Sequence, residues 1–130
     1  MKPFEMKVRV AAEDIDEQNH VNNAVYLRWV QDAAVAHWRA MASAAAQREI
    51  GWVVVRHEID YKAPGSLGDE VVLRTWVGEA TRLRFERLTE ILRKSDQRLL
   101  ATSRTLWVPI NATTGKPMRV SAEVREQFSV

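Results

Sequence analysis

The densest group of chemically capable side chains lies near the start of the chain, in Asp14-Ile15-Asp16-Glu17-Gln18-Asn19-His20-Val21-Asn22-Asn23. Carboxylates, a histidine and amides stand there just before a stretch with helical periodicity. The first turn of a helix carries unsatisfied N–H groups and a partial positive charge. Such a turn can polarise a carbonyl oxygen as an oxyanion hole. A carboxylate beside it can activate water or attack the carbonyl directly. The same residue types also cap helices and close turns. Spacing alone leaves both readings open, the cap being the commoner.

Much other chemistry is excluded. The chain has no cysteine, which removes disulfides, thiolate metal sites, iron–sulfur clusters and a cysteine nucleophile. His20, His37 and His57 are 17 and 20 residues apart, so no local two-histidine metal motif exists. Gly65-Ser66-Leu67-Gly68 breaks the Gly-x-Ser-x-Gly spacing of an acyl-enzyme serine. There is no Gly-x-Gly-x-x-Gly and no phosphate-binding loop. No metal or cofactor is implied. Lys and Arg total 19 against 17 Asp and Glu, a net charge of +2. That field is too weak to call for nucleic acid.

The elements that must position this stretch follow from periodicity. Phe4 to Ala12 alternates apolar Phe4, Met6, Val8 and Val10 with polar partners, a period of two that predicts a strand. From about Asn23 to Ala46 the period becomes helical. Leu27, Val30, Ala34, Trp38, Met41 and Ala45 share one face; Tyr26, Trp29, Ala33, His37, Ala40 and Ala44 form a neighbouring stripe. So little polar surface predicts one long, mostly buried helix, capped by Asn22 or Asn23. After Gly51, Val53, Val55, His57, Ile59 and Tyr61 alternate as a strand that Pro64-Gly65 ends. Three more strands follow: Val71 to Val77, then Leu83, Phe85, Thr89 and Ile91, then Leu99 to Ile110. Ser121 can cap a short terminal helix. One long helix against an antiparallel sheet is a two-layer α+β domain. An uncovered sheet face and an open edge strand favour pairing with a second copy.

Other candidates read as structural. Arg82, Arg84, Arg87, Arg93 and Lys94 on alternating positions suggest a solvated face. His57 and His37 read as hydrogen-bonded core residues. Trp29, Trp38, Trp52, Trp76 and Trp107 suit core or interface packing, some of them an acyl pocket.

The stretch Asp14 to Trp29 resembles the D-x-D-x-x-x-H-V-N-N-x-x-Y-L signature of the hotdog-fold acyl thioesterases, in the 4-hydroxybenzoyl-CoA thioesterase-like and acyl-ACP thioesterase branches. Asp60-Tyr61-Lys62-Ala63-Pro64-Gly65-Ser66-Leu67-Gly68-Asp69 is similar to the family's D-Y-x-x-P-x-x-x-G-D, and Trp107-Val108 with Thr114-Gly115-Lys116-Pro117 adds a third match. The resemblance spans nearly the whole chain. It implies a single hotdog domain over residues 1–130, with a five-stranded antiparallel sheet wrapped around one central helix.

It further implies an acyl-CoA or acyl-ACP thioesterase with Asp16 as general base or nucleophile. The backbone N–H of Asn23 polarises the thioester carbonyl in that scheme. His20 matches a water-activating histidine, and Gln18 stands where the acyl-ACP branch has Asn. Asp14 shapes the loop. Arg56, Lys62, Arg82 and Arg84 are candidates for the coenzyme A phosphates. A hotdog enoyl-thioester hydratase and a non-catalytic acyl-binding protein are the alternatives. A homodimer or homotetramer is expected.

At 130 residues the length suits one domain. No apolar run approaches the roughly 18–20 residues that span a bilayer, and Met1 to Glu5 lacks the apolar stretch of a signal peptide. These features predict a cytoplasmic protein without membrane or nucleic-acid partners.

Overall fold

The computed structural model describes residues 3–128. In chain order the elements are β1 (Phe4–Arg9), α1 (Asn23–Met41), α2 (Ala44–Glu49), β2 (Ile50–Tyr61), β3 (Glu70–Ala80), β4 (Phe85–Arg93), β5 (Leu99–Asn111) and α3 (Ala122–Phe128). The strands form one antiparallel sheet in the order β1-β3-β4-β5-β2. It curls around α1, the hotdog arrangement. No described helix is long and apolar enough to cross a membrane.

The helix expected to run unbroken to Ala46 ends at Met41. Ala42 is extended, and the Ser43 hydroxyl accepts from the Ala46 N–H at 3.1 Å to start α2. A serine able to satisfy an orphan N–H makes that break favourable. The burial of α1 is also narrower than expected. Val25, Tyr26, Trp29, Val30, Ala33 and Ala34 are buried, whereas Arg28, Gln31, Asp32, Val35 and Met41 are exposed. The helix therefore packs the shared border of the two stripes on the sheet and turns Arg28, Gln31, Asp32 and Val35 to solvent.

Strand β2 does not neighbour β3, the strand that follows it in the chain. Residues 62–69 carry the chain across the sheet, and β2 forms the far edge beside β5. A bulge between Val54 and Arg56 also breaks its alternation. The bulge places His57, Ile59 and Tyr61 opposite Thr105, Ser103 and Ala101, and leaves Val55 exposed. An extra residue in one strand shifts all later side chains to the other face. On β4 the inward row is Phe85, Arg87, Thr89 and Ile91. Leu83 instead sits exposed in the preceding turn, and Arg87 is buried rather than part of a solvated face.

The interior has two apolar regions. One gathers Val10, Val21, Tyr26, Trp29, Leu73 and Leu100 under the first half of α1. The other gathers Ile50, Val77, Phe85, Val120 and Phe128 near its end, with Trp38, Trp52 and Trp107 packed against it. A polar band crosses the sheet between them. Thr75 pairs with Thr89, Thr89 with Ser103, and Arg87 with Thr105, which pairs with His57. The threonine hydroxyls of Thr75 and Thr89 lie 3.2 Å apart, and Thr75 also donates to the Leu88 carbonyl at 2.9 Å. Buried hydroxyls need such partners to offset their lost hydration.

Candidate active site

The loop before α1 is a small closed turn. Ile15 and Val21 form an antiparallel bridge, the Asp16 N–H donates to the His20 carbonyl at 3.0 Å, and the Asn19 N–H donates to the Asp16 carbonyl at 2.9 Å. Asn19 takes a positive φ of 63°, a conformation asparagine tolerates better than most residues. Asp14 is buried and anchors this turn from below. Its carboxylate accepts from the Ala11 N–H at 2.9 Å and from Arg28 at 3.0 Å. Asp14 thus holds structure, the role assigned to it from the sequence. Asn22 caps α1, its side-chain oxygen accepting from the Ala24 N–H at 2.8 Å.

These bonds bring Asp16, Gln18, His20 and Asn23 to one cleft of about 530 Å³ at the start of α1. Asp16 also lines a second hollow that runs toward Arg28, so its side chain sits on the ridge between the two. One Asp16 carboxylate oxygen accepts from the Gln18 N–H at 2.9 Å. The other has no hydrogen-bond partner among the described residues. The Asn23 N–H likewise has no partner there, as expected at the first position of a helix. The cleft therefore holds an anionic oxygen and an unsatisfied donor at the positive end of a 19-residue helix. Gln18 and His20 are exposed on its rim.

The second motif supplies the opposite wall. The Val21 N–H donates to the Gly65 carbonyl at 3.0 Å, and the Gly65 N–H donates to the Tyr26 hydroxyl at 3.0 Å. Burial raises the pKa of Tyr26, which keeps its hydroxyl neutral and able to accept. A Cβ on Gly65 would stand 3.0 Å from a Val21 methyl and 3.2 Å from the Tyr26 oxygen. Only glycine lets this loop approach so closely. Tyr61 and Tyr26 also line the cleft, and the Tyr61 hydroxyl donates to the Asn23 carbonyl at 3.2 Å. The strand pattern and the second motif both include Tyr61, but only the fold brings its hydroxyl to the helix start.

Among the four cations considered for phosphate binding, Lys62 alone lines this cleft. Arg56 pairs with Glu58 at 2.7 Å on the exposed face. Arg82 and Arg84 lie in the β3–β4 turn, where the Arg82 carbonyl accepts from Val120 near α3. His37 and His57 are elsewhere, in the polar band. His57 Nδ1 lies 3.1 Å from the Thr105 hydroxyl, and burial lowers its pKa. Arg87 donates to His37 Nδ1 at 2.9 Å. Burial, reinforced by the Arg87 charge, lowers the His37 pKa to about 4. Both histidines are thus hydrogen-bonded interior residues, in keeping with their sequence reading. No group of three or more metal-capable side chains comes together among the described residues.

The thioesterase-like superfamily profile matches residues 10–128, nearly the whole chain. No curated protein sequence matches it. Solved structures do. The 1,4-dihydroxy-2-naphthoyl-CoA thioesterase Slr0204 from Synechocystis is 20% identical, with 97% of this chain and 95% of that one covered at a TM-score of 0.82. The DHNA-CoA thioesterase from Staphylococcus aureus is also 20% identical, with 98% and 89% covered and a TM-score of 0.86. The dynemicin thioesterase, described with bound polyene, is 24% identical, with 99% of both chains covered and a TM-score of 0.86. At such identities the structures attest the fold alone, and the family profile carries the assignment. The chain belongs to the thioesterase-like superfamily and is a thioester hydrolase of the hotdog fold.

Proposed function

We propose that this protein, a single domain over residues 1–130, hydrolyses an acyl-CoA or acyl-ACP thioester in the cytoplasm, releasing the free acid and the thiol. The observation that carries the reading is the shared cleft in which the Asp16 carboxylate faces the same space as the unpartnered Asn23 N–H. The thioester carbonyl accepts from that N–H, and the dipole of α1 stabilises the negative charge that develops on its oxygen. The free Asp16 oxygen removes a proton from water as water attacks, or attacks the carbonyl itself to give an anhydride that water then opens. His20 and Gln18, on the rim, orient the water. A thiolate is a good leaving group, so the site needs no strong general acid. Lys62 offers a cation to a phosphate at the mouth. Coenzyme A is the thiol named for the naphthoyl-CoA thioesterases of the same fold, which supports it here. The active protein is a homodimer or homotetramer.

Asp16→Asn removes the base while keeping the turn, because an amide oxygen can still accept from the Gln18 N–H. Turnover of the best substrate in a screen of short, long-chain and aromatic CoA esters falls about 10²–10⁴-fold, with the melting temperature unchanged. A variant that keeps near wild-type turnover sinks the assignment. An enoyl-CoA absorbance assay distinguishes the hydratase alternative, and saturable acyl-CoA binding without turnover marks a non-catalytic binder.

A further inference from the structure

The Asn23 N–H stands on an exposed turn. Asn22, Asn23 and Ala24 all face solvent, and the ends of helices fray where little ties them down. A donor that polarises a carbonyl works by being aimed before the substrate arrives. What makes this N–H a donor is the missing turn of helix ahead of it; what aims it is a separate matter.

Beyond the helix ladder, residues 22–24 are held mostly from close by in the chain. The Asn22 N–H donates to the Asp14 carbonyl at 2.9 Å, and the Asn22 carbonyl accepts from the Val25 N–H at 2.9 Å. The Asn22 side chain accepts from the Ala24 N–H at 2.8 Å. One bond comes from the sheet: the Tyr61 hydroxyl donates to the Asn23 carbonyl at 3.2 Å. That carbonyl and the Ala24 N–H belong to the same planar peptide unit, so this unit is held at both ends. The unit before it carries the Asn23 N–H. Only the φ and ψ of Asn23 lie between the two.

Tyr61 is itself well fixed. It is the last residue of β2 and pairs with Ala101 of β5. The N–H groups of Lys62 and Ala63, next in the chain, both donate to the Leu100 carbonyl, at 2.8 and 3.2 Å. The Tyr61 ring meets Tyr26 edge-on with centroids 5.5 Å apart. Tyr61 lines the cleft, yet its single hydroxyl proton is committed to Asn23. A thioester group has no proton to donate in return. The phenol therefore serves the backbone rather than the ester.

We propose that Tyr61 is a positioning residue of the hydrolytic site: its hydroxyl ties the first peptide of α1 to the sheet and so keeps the adjoining Asn23 N–H aimed into the cleft. The role rests on the reading of Asn23 as the donor to the thioester carbonyl. That oxygen gains charge only as attack proceeds, so an N–H held in line favours the transition state over the bound ester. Losing the tie lowers kcat and spares KM.

Tyr61→Phe deletes the hydroxyl and keeps the ring against Tyr26. With the best CoA ester of the screen, kcat falls about tenfold, less than the roughly 10²–10³-fold cost of removing an oxyanion donor outright. KM stays within about twofold. In the free protein the Ala24 and Val25 amides, followed by NMR, exchange with solvent about three- to tenfold faster, because the turn opens more often. The pH–rate profile keeps its shape, since the phenol passes no proton in the reaction, and a changed shape overturns the role. A wild-type kcat well below the melting temperature, whatever the loss of stability, overturns it too, because Tyr61 then only stabilises. A raised KM at constant kcat marks a substrate contact and has the same force, as does a fall in kcat with the Ala24 and Val25 exchange unchanged. Asp16→Asn, assayed in parallel, separates the two readings. Turnover kept in that variant sinks the hydrolytic reading; turnover lost there, with Tyr61→Phe at wild-type kcat, sinks the positioning role alone.

Discussion

The fate of each polar side chain here depends on how many of its partners lie within reach. Asp14 and Asp16 are two residues apart and chemically identical, yet they do different work. Asp14 is buried against the Ala11 N–H and Arg28. Asp16 keeps one oxygen for its own turn and leaves the other in the cleft. His37 shows the same dependence through pH. Its ring packs between Phe4 and Phe128 and accepts from Arg87, and these are the groups that face it. With a folded pKa near 4 against an unfolded value of 6.5, the unfolded chain binds a proton that the folded chain refuses. Stability from this residue is therefore fully present above pH 6.5 and declines as pH falls toward 4. The loss is on the order of 1–2 kcal/mol once solvent screening of this partly exposed ring is allowed for, and His57 adds to it in the same direction. Thermal melts at pH 7 and pH 5 check this. His37→Asn, which retains an acceptor for Arg87, flattens the decline. An unchanged pH slope in that variant contradicts the assignment.

Two elements matter most to the proposed active site: the start of α1 and the crossing loop of residues 62–69. Asn22→Ala removes the cap on the Ala24 N–H and costs about 1 kcal/mol. The first turn frays, so turnover falls together with the melting temperature. Gly65→Ala acts from the other wall. Its new methyl meets Val21 and the Tyr26 hydroxyl, and relieving that contact displaces the loop at a cost of about 1–3 kcal/mol. The measurable outcome is a lowered melting temperature with a raised KM, because the wall carrying Tyr61 and Lys62 shifts while Asp16 stays in place. A Gly65→Ala protein with wild-type KM and stability contradicts the close packing of this loop.

For the molecule as a whole, the open edge dominates. Strand β2 runs for 12 residues along the border of the sheet, with Val53 at 44% and Val55 at 59% exposure. Long apolar edges invite another strand, and α1 also leaves Val35 and Met41 exposed. The protein in solution is expected at twice 14.9 kDa or a higher multiple, measured by light scattering at micromolar concentration. Val53→Lys puts a charge on that border and shifts the mass toward the monomer. A wild-type monomer contradicts the expectation.

Local pattern was enough to reveal the strands, the helical period of α1 and the cap at Asn22, because these depend on neighbours within one turn or one strand. It also showed Gly65 and Tyr61 as motif members, though not what they touch. What lay beyond it depends on contacts between distant segments. The Ser43 cap ends α1 where alanine propensity alone would continue it. The bulge after Val54 reverses the faces of β2, and no alternating pattern marks an inserted residue. Arg87 stands on the same parity as Phe85 and Thr89, but a charge is placed outside by default. Only its burial and its bonds to His37 and Thr75 show that the cation is held inside. Hydrogen bonds offset the burial of a charge only when the fold has already brought the partners together, and those partners are separated along the chain by as many as 50 residues.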